Sequence, residues 1–112
     1  MTDDNSFMSG LPELAILRLL QDREMYGYEL VQAIRASSRS VLNLSEGVVY
    51  PLLHALEKSG ALKSRRRSVS GRSRVYYSLT AKGARRLSAL TSRWSELDAA
   101  VQTLMGGALA VR

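Results

Sequence analysis

The spacing of hydrophobic residues changes twice along this chain, and this change limits the folds that the chain can adopt. Before Gly60 the apolar residues recur every three or four positions, which is typical of amphipathic helices. Over residues 75–79 they alternate with Tyr76 and Ser78, which indicates a β-strand. From Leu87 onwards the helical spacing returns. The sequence therefore predicts helices, then strands, then one more helix.

Three helices are predicted before the strands: over residues 12–21, over residues 26–36, and between Ser45 and Gly60. Pro12 suits a helix start, because its missing N–H would have no partner there. Ser45 is a suitable N-cap for the third helix, and Gly60 is a natural stop. Pro51 removes a hydrogen bond inside this helix, so the helix either starts late or bends there.

The strands are predicted to form a hairpin, which pairs residues 61–68 with 75–79 around a tip at 69–73. Thr80 then caps a last helix that ends at Met105. Apolar residues recur along this helix at alternating steps of three and four, which is the heptad spacing of a coiled-coil seam. The seam residues are Leu87, Leu90, Trp94, Leu97, Val101 and Leu104.

The predicted order of elements defines the fold class. Three helices followed by a two-stranded hairpin are the layout of a winged helix-turn-helix, a mainly α fold of the α+β type. The chain of 112 residues has the size of one domain with a long C-terminal helix. The predicted units are a flexible tail (1–10), the winged helix-turn-helix (11–80), the C-terminal helix (81–105) and a second tail (106–112).

All of the excess positive charge lies in one segment. Residues 61–86 contain nine Lys and Arg and no acidic residue, whereas residues 1–60 carry a net charge of −3 and residues 87–112 are balanced. A charge run is most often a solvated face, but a local patch without any acid favours a polyanionic partner. The segment coincides with the predicted hairpin and the start of the last helix, so the basic surface is expected on the wing.

Residue types missing from the chain exclude several classes of function. The chain has no cysteine and a single histidine, His54, so thiolate and paired-histidine metal sites are excluded. There is no glycine-rich phosphate loop, and no carboxylate is placed to orient His54. No apolar run reaches 18 residues, and the N-terminus does not resemble a secretory signal. We therefore expect no enzyme, cofactor or membrane span, and the absence of cysteine fits a reducing cytoplasm.

Three segments of the sequence resemble the PadR family of bacterial winged-helix transcriptional regulators. They are residues 26–30 (YGYEL), residues 46–53 with 56–62 (EGVVYPLL, LEKSGAL) and residues 71–83 (GRSRVYYSLTAKG), and Trp94 in the last helix is also common in the family. The resemblance extends over residues 11–104. It implies a homodimeric repressor that binds double-stranded DNA. The C-terminal helix is then expected to form the dimer interface. Ala55 and Val75 depart from the family, which usually has a basic residue at the first position and often at the second.

The third helix is then expected to be the recognition helix. Its outward residues are Ser45, Glu46, Gly47, Tyr50, Pro51, His54 and Lys58. For three of them, two roles stay open. Tyr50 either donates its hydroxyl to a phosphate or packs on the hairpin, and His54 either contacts DNA or has no role. Glu46 either complements the helix dipole or accepts a hydrogen bond from cytosine.

The arginines of the wing are expected to contact DNA phosphates. They are Arg65, Arg66, Arg67, Arg72 and Arg74, of which Arg72 or Arg74 also suits a minor groove. Tyr26 and Tyr28 flank Gly27 at a helix start, where they either pack locally or contact a phosphate.

Trp94 lies in the middle of the predicted dimer seam. Two indoles facing each other would keep the helices apart and leave a slot for a small aromatic effector, or Trp94 simply fills the interface. The sequence therefore predicts a homodimeric, sequence-specific DNA-binding repressor, with release by an aromatic effector as an open extension. The alternative is a winged-helix module that binds RNA or a protein partner.

Overall fold

The computed structural model describes residues 3–110 of the chain, and the side chains of residues 10–106. This part of the chain forms four helices and three strands. In chain order they are α1 (Asp3–Asp22), β1 (Met25–Tyr26), α2 (Gly27–Ser37), α3 (Glu46–Lys58), β2 (Leu62–Val69), β3 (Arg72–Leu79) and α4 (Ala81–Ala110). The predicted winged helix-turn-helix with a long C-terminal helix is confirmed.

The hairpin of β2 and β3 turns through only two residues, Ser70 and Gly71. Both have positive φ angles, +53° and +77°, as the tight turns that suit twisted strands require. The strands pair in antiparallel register from Leu62 opposite Leu79 to Val69 opposite Arg72. The wing is therefore longer than the alternation of apolar residues predicts, because its distal half carries arginines and serines on both faces.

A short strand, β1, was not predicted from the sequence. It pairs with the other edge of β3, with Met25 opposite Tyr77 and Tyr26 opposite Tyr76, so the sheet order is β1-β3-β2. Two residues are too few to produce a recognisable alternation, and the pairing joins segments about 50 residues apart in sequence.

The hydrophobic core lies between the first three helices and one face of the sheet. The buried side chains at its centre are Ile16, Leu17, Leu30, Ile34, Val49, Leu53 and Leu62. Met25 and Tyr77 add to it from the paired strands, and Leu87 adds to it from α4. These residues hold α3 against the sheet and leave the opposite side of α3 exposed.

The end of α3 is joined to the start of α4. Gly60 has a φ of +90°, and the N–H groups of Gly60 and Ala61 donate to Glu57 and Leu56 at 3.0 and 2.9 Å, which closes α3 in a Schellman motif. The Thr80 hydroxyl donates to the Gly60 carbonyl at 2.6 Å and accepts from the Gly83 N–H at 3.0 Å, so the predicted N-cap is present.

Two helices are longer than predicted. α1 starts at Asp3 rather than near residue 12, with Pro12 inside the helix, and α4 continues through Gly106 and Gly107 to Ala110. Proline and glycine lower helix propensity without forbidding a helix whose neighbouring turns continue. In α1, Glu13 binds the Arg86 guanidinium of α4, and Gly10 lies near the Trp94 indole. These tertiary contacts favour the longer α1. Residues 3–10 and 106–110, which were predicted to be tails, are helical.

Candidate nucleic-acid interface

α3 presents one buried and one exposed face. Val49, Leu53 and Leu56 are buried, and their spacing of four and three residues defines the inner side. Six of the seven outward positions predicted from the sequence are exposed: Ser45, Glu46, Gly47, Pro51, His54 and Lys58. Ser45 takes the extended N-cap conformation, but its hydroxyl makes no capping hydrogen bond. Pro51 lies inside a helix that starts at Glu46, so the helix does not start late.

Tyr50 is the outward prediction that the structure places differently. Its side chain is half-buried, and its ring lies so close to Gly27 that a Cβ atom there would be 2.4 Å from a ring carbon. Burial raises the pKa of the Tyr50 phenol, and the Glu46 carboxylate adds to this effect. Tyr50 therefore packs on the start of α2, which only a glycine at position 27 allows.

The tyrosines that flank Gly27 have different surroundings. Tyr28 is exposed, whereas Tyr26 is half-buried and is the N-cap residue of α2. The Tyr26 backbone N–H donates to the Glu29 carboxylate at 3.2 Å. Tyr26, Tyr50, His54 and Arg74 line a cleft between α3 and the wing, with Gly27, Val75 and Tyr77 completing its walls.

The alternation of the strands divides the wing into two faces. Residues directly opposite each other share a face, so Leu62 and Tyr77 lie on the inner face, which continues outwards to Arg66. Arg65, Arg67, Arg72, Arg74 and Tyr76 lie on the other face. The five arginines predicted to contact phosphates are therefore not equivalent.

An aromatic and charged network covers the outer face. Glu24 accepts hydrogen bonds from Arg65 at 2.7 Å and from Arg67 at 2.8 Å. The Arg67 guanidinium stacks on Tyr76 at 4.3 Å from the ring centroid, and Arg74 stacks on Tyr26 at 4.4 Å. The Tyr26 and Tyr76 rings meet edge to face, 5.4 Å apart. We call these six residues the outer-face cluster.

Glu24 partly neutralises the basic segment. The hydrogen bond from Arg65, together with the charges of Arg65 and Arg67, lowers the pKa of Glu24, although desolvation opposes this shift. Arg86, from the same segment, pairs with Glu13. Both carboxylates come from outside residues 61–86, so the charge count along the sequence gave no sign of these pairs.

Three arginines of the wing, Arg66, Arg72 and Arg74, have no carboxylate partner among the described residues, and the Arg74 guanidinium is covered by the Tyr26 ring. Arg66 is exposed and makes only a long contact of 3.4 Å to the Ser73 hydroxyl. Arg72 is exposed next to the turn, and its side chain makes no hydrogen bond or ion pair within the described part of the chain. Arg66 and Arg72 therefore carry the wing guanidinium groups that are most available to an external anion.

The exposed side of α3 also carries three apolar residues that were not among the predicted outward positions. Val48 is 44% exposed, Ala55 is exposed and Leu52 is half-buried. With Pro51 and with Pro12 of α1, they line a shallow hollow, which we call the apolar patch. The spacing of Val48, Leu52 and Ala55, by four and then three residues, was the available signal, because it defines a second stripe beside the buried one.

The predicted dimer seam becomes more exposed along α4. Leu87 is buried, and Leu90, Trp94 and Leu97 are half-buried. Val101 and Leu104 are 52% and 82% exposed in the single chain. A stripe of large apolar side chains in water is costly, so the distal part of α4 is suited to a partner helix.

The described residues contain no group of three His, Asp or Glu side chains that are arranged to hold a metal ion. None of the helices described here combines the length and the apolar character needed to cross a bilayer.

Comparison with known proteins gives consistent results. The family model of PadR-like transcriptional regulators matches residues 16–89. The transcriptional regulator Rv3488 of Mycobacterium tuberculosis is 36% identical over 101 residues, which cover 90% of this chain and 89% of that protein. The crystal structure of a PadR-like regulator from Bacillus cereus superposes with a TM-score of 0.77 at 30% identity, covering 89% and 96% of the two chains. A PadR family regulator from Clostridium difficile gives a TM-score of 0.70 at 29% identity, covering 88% and 97%.

Proposed function

Because the chain belongs to the PadR-like family of transcriptional regulators, and is thus a DNA-binding regulator rather than an enzyme, we propose that it acts as a homodimeric repressor. The observation that carries the proposal is the exposed side of α3 beside a wing whose Arg66 and Arg72 have no carboxylate partner in the described structure. A regulator must reach chromosomal DNA, so we place it in the cytoplasm.

The proposed contacts divide by type. Arg66, Arg72 and Lys58 bind phosphates, which position the protein without reading sequence. Gly47, Pro51 and His54 face the major groove from α3, and Ser45 and Glu46 lie at its N-terminal end. Arg74 stays stacked on Tyr26 beside the cleft, so only the free side of its guanidinium contacts DNA. Arg65 and Arg67 are held by Glu24 and act mainly on the wing itself.

Dimerisation is proposed to occur through α4. The exposed Val101 and Leu104 support this, because they continue the heptad seam beyond the part that is covered within one chain. A two-fold axis through α4 would present two recognition helices to half-sites about one DNA turn, or roughly 34 Å, apart. The operator is then expected to be palindrome-like.

The effector part of the proposal concerns Trp94. Its indole is half-buried and lies beside Gly10 of α1, at the middle of the seam. In the proposed dimer, two such rings near the axis would border a flat apolar slot for a small aromatic molecule. Binding there would change the angle between the two α4 helices and so the spacing of the recognition helices. Quenching of Trp94 fluorescence in an effector screen tests this part separately.

The test of the central proposal is a titration of the protein with labelled DNA from upstream of its own gene. A scrambled duplex and an RNA duplex of equal length are measured beside it at several salt concentrations. We expect roughly a thousandfold preference for the native duplex and a steep salt dependence. Equal binding to native and scrambled DNA would contradict a specific repressor, and preference for RNA would favour the RNA-binding module.

A further inference from the structure

The apolar patch lies on the side of α3 that is proposed to face DNA. Val48 and Pro51 are exposed in the first two turns of the helix, and Ala55 is exposed one turn further on. Leu52 and Pro12 also line the hollow. These side chains offer methyl and methylene groups and no hydrogen-bonding atom, so they are unsuited to contact phosphates or the polar edges of bases.

The major groove contains one apolar group that such a surface fits. Each thymine carries a C5-methyl group there, and alanine and other methyl-bearing side chains contact it. Val48 and Ala55 are seven residues apart, which is about two turns and roughly 10 Å along the helix. At about 3.4 Å per base pair, the two side chains span about three base-pair steps.

The charges around the patch favour DNA as its occupant over a second copy of this chain. Lys58 is exposed three residues after Ala55, so it lies about one turn further along the same side of α3. Glu46 is nine residues from Ala55, or two and a half turns, and so lies on the opposite side of α3. An apolar strip with a cation at its end is complementary to a groove that has methyl groups on its floor and phosphates along its edges.

We propose that Val48, Pro51 and Ala55 read thymine C5-methyl groups, so that part of the operator is recognised by apolar contact rather than by hydrogen bonds. This inference rests on the proposed function, and it specifies which chemical feature of the base the recognition helix detects. It predicts thymines about three base pairs apart in each half-site, beneath the two ends of the patch.

The test uses deoxyuridine, which pairs like thymine and lacks only the methyl group. An operator is first selected from random duplexes with the full-length protein, and each thymine is then replaced in turn. We expect one or two positions per half-site at which the change weakens binding by roughly fourfold, as the loss of one buried methyl group implies. Replacement of the other thymines should leave the affinity unchanged.

Two variants assign the effect to the patch. In Val48→Ala the discrimination between thymine and deoxyuridine should disappear at one position of each half-site. Val41→Ala is the matched control, because Val41 is 79% exposed but lies outside α3, and it should keep the full discrimination. Thermal melts and sedimentation confirm that both variants fold and keep the oligomeric state of the parent protein.

The outcomes separate this inference from the proposed function. If the operator is preferred over scrambled DNA and all deoxyuridine duplexes bind equally well, the thymine inference is wrong and the repressor proposal stands. A selection that yields no preferred sequence overturns both. If Val48→Ala changes the oligomeric state and leaves the thymine discrimination intact, the patch is an interface between copies and the inference is also overturned.

Discussion

Arg65 and Arg67 lie on the outer face of the wing and bind Glu24. Arg66, between them in sequence, lies on the opposite face and has no carboxylate partner in the described part of the chain. Three consecutive arginines therefore have two different roles. The difference teaches that a run of identical charges on a strand is divided by the two-residue period of the strand, and then by what each face finds nearby.

Two arginines on the same face of the wing also differ in their surroundings. Arg74 stacks on the Tyr26 ring, while Arg72, two residues earlier on the same face, is exposed. On this face, aromatic rings and Glu24 engage the guanidinium groups of Arg65, Arg67 and Arg74. Arg72, next to the turn, has no such partner among the described residues, which supports its proposed contact with DNA.

The largest expected effect comes from a substitution at the junction between the end of α3 and the start of α4, where Gly83 packs against Ala61. In Gly83→Ala the new Cβ atom would lie 2.1 Å from the Ala61 carbonyl oxygen, which belongs to the backbone and has little freedom to move. We expect a loss of about 3 kcal/mol in the free energy of unfolding, measured by urea denaturation, because overpacking shifts the backbone. DNA affinity should fall with it.

Gly106→Ala provides the control for this substitution. Nothing described lies within 4 Å of the added Cβ atom, and Gly106 is inside α4. The helix should gain about 0.5–1 kcal/mol. Equal destabilisation by both changes would show that the contact with Ala61 is not the cause.

The next effect concerns the arginines without a carboxylate partner. Arg66→Ala and Arg72→Ala should each weaken DNA binding by about a hundredfold, because a homodimer loses two charged hydrogen bonds to phosphate of about 1.5 kcal/mol each. In a homodimer each should also lower the slope of log affinity against log salt by about 1.8. Fluorescence anisotropy at four salt concentrations measures both quantities, and the thermal midpoint should not change.

Arg67→Ala is the matched variant on the outer face. It removes the stacking on Tyr76, which contributes about 0.5–1 kcal/mol, so the thermal midpoint should fall by roughly 4 °C. The salt dependence of DNA binding should stay close to that of the parent protein. A drop in the salt slope as large as that of Arg66→Ala would remove the distinction between Arg66 and the arginines that Glu24 holds.

The smallest effect is a dependence on pH. Because the pKa of Glu24 is lowered from its ordinary value of 4.5, its ion pairs stabilise the folded state above that value. This contribution is lost as the pH falls through the lowered pKa. The difference in thermal midpoint between the parent protein and Glu24→Gln should therefore be present at pH 7 and shrink below pH 4.5.

Glu24→Gln also sharpens the comparison of the faces. The variant releases Arg65 and Arg67 from their carboxylate, which makes them available to phosphate. Its DNA binding should become more dependent on salt, the opposite of the change expected for Arg72→Ala. An unchanged slope would mean that Arg65 and Arg67 lie too far from the DNA to reach it even when Glu24 no longer holds them.

Local patterns in the sequence were sufficient for most of the fold. The turn within residues 69–73 and the N-cap at Thr80 depend on residues close to one another in the chain, and the structure has both. β1 and the full length of α1 depend on distant partners. Neither Met25 opposite Tyr77 nor Glu13 against Arg86 leaves a periodic signal.

In the candidate site, too, the sequence predicted only those features that depend on neighbouring residues. Exposure of Gly47, His54 and Lys58 follows from helical phase alone, whereas the packing of Tyr50 depends on the absence of a side chain at Gly27, 23 positions earlier. The apolar patch needed both a second stripe on α3 and the approach of Pro12 from α1.

Hydrophobic period, capping and charge are properties of neighbouring residues, so the order of the elements, the winged helix and a wing rich in arginine could be predicted before folding was known. Which of the wing arginines bind a carboxylate depends on contacts that arise only when the chain folds. Glu24 reaches Arg65 and Arg67 across 41 and 43 residues, and an ion pair forms wherever folding brings opposite charges within a few ångströms, whatever their separation along the chain.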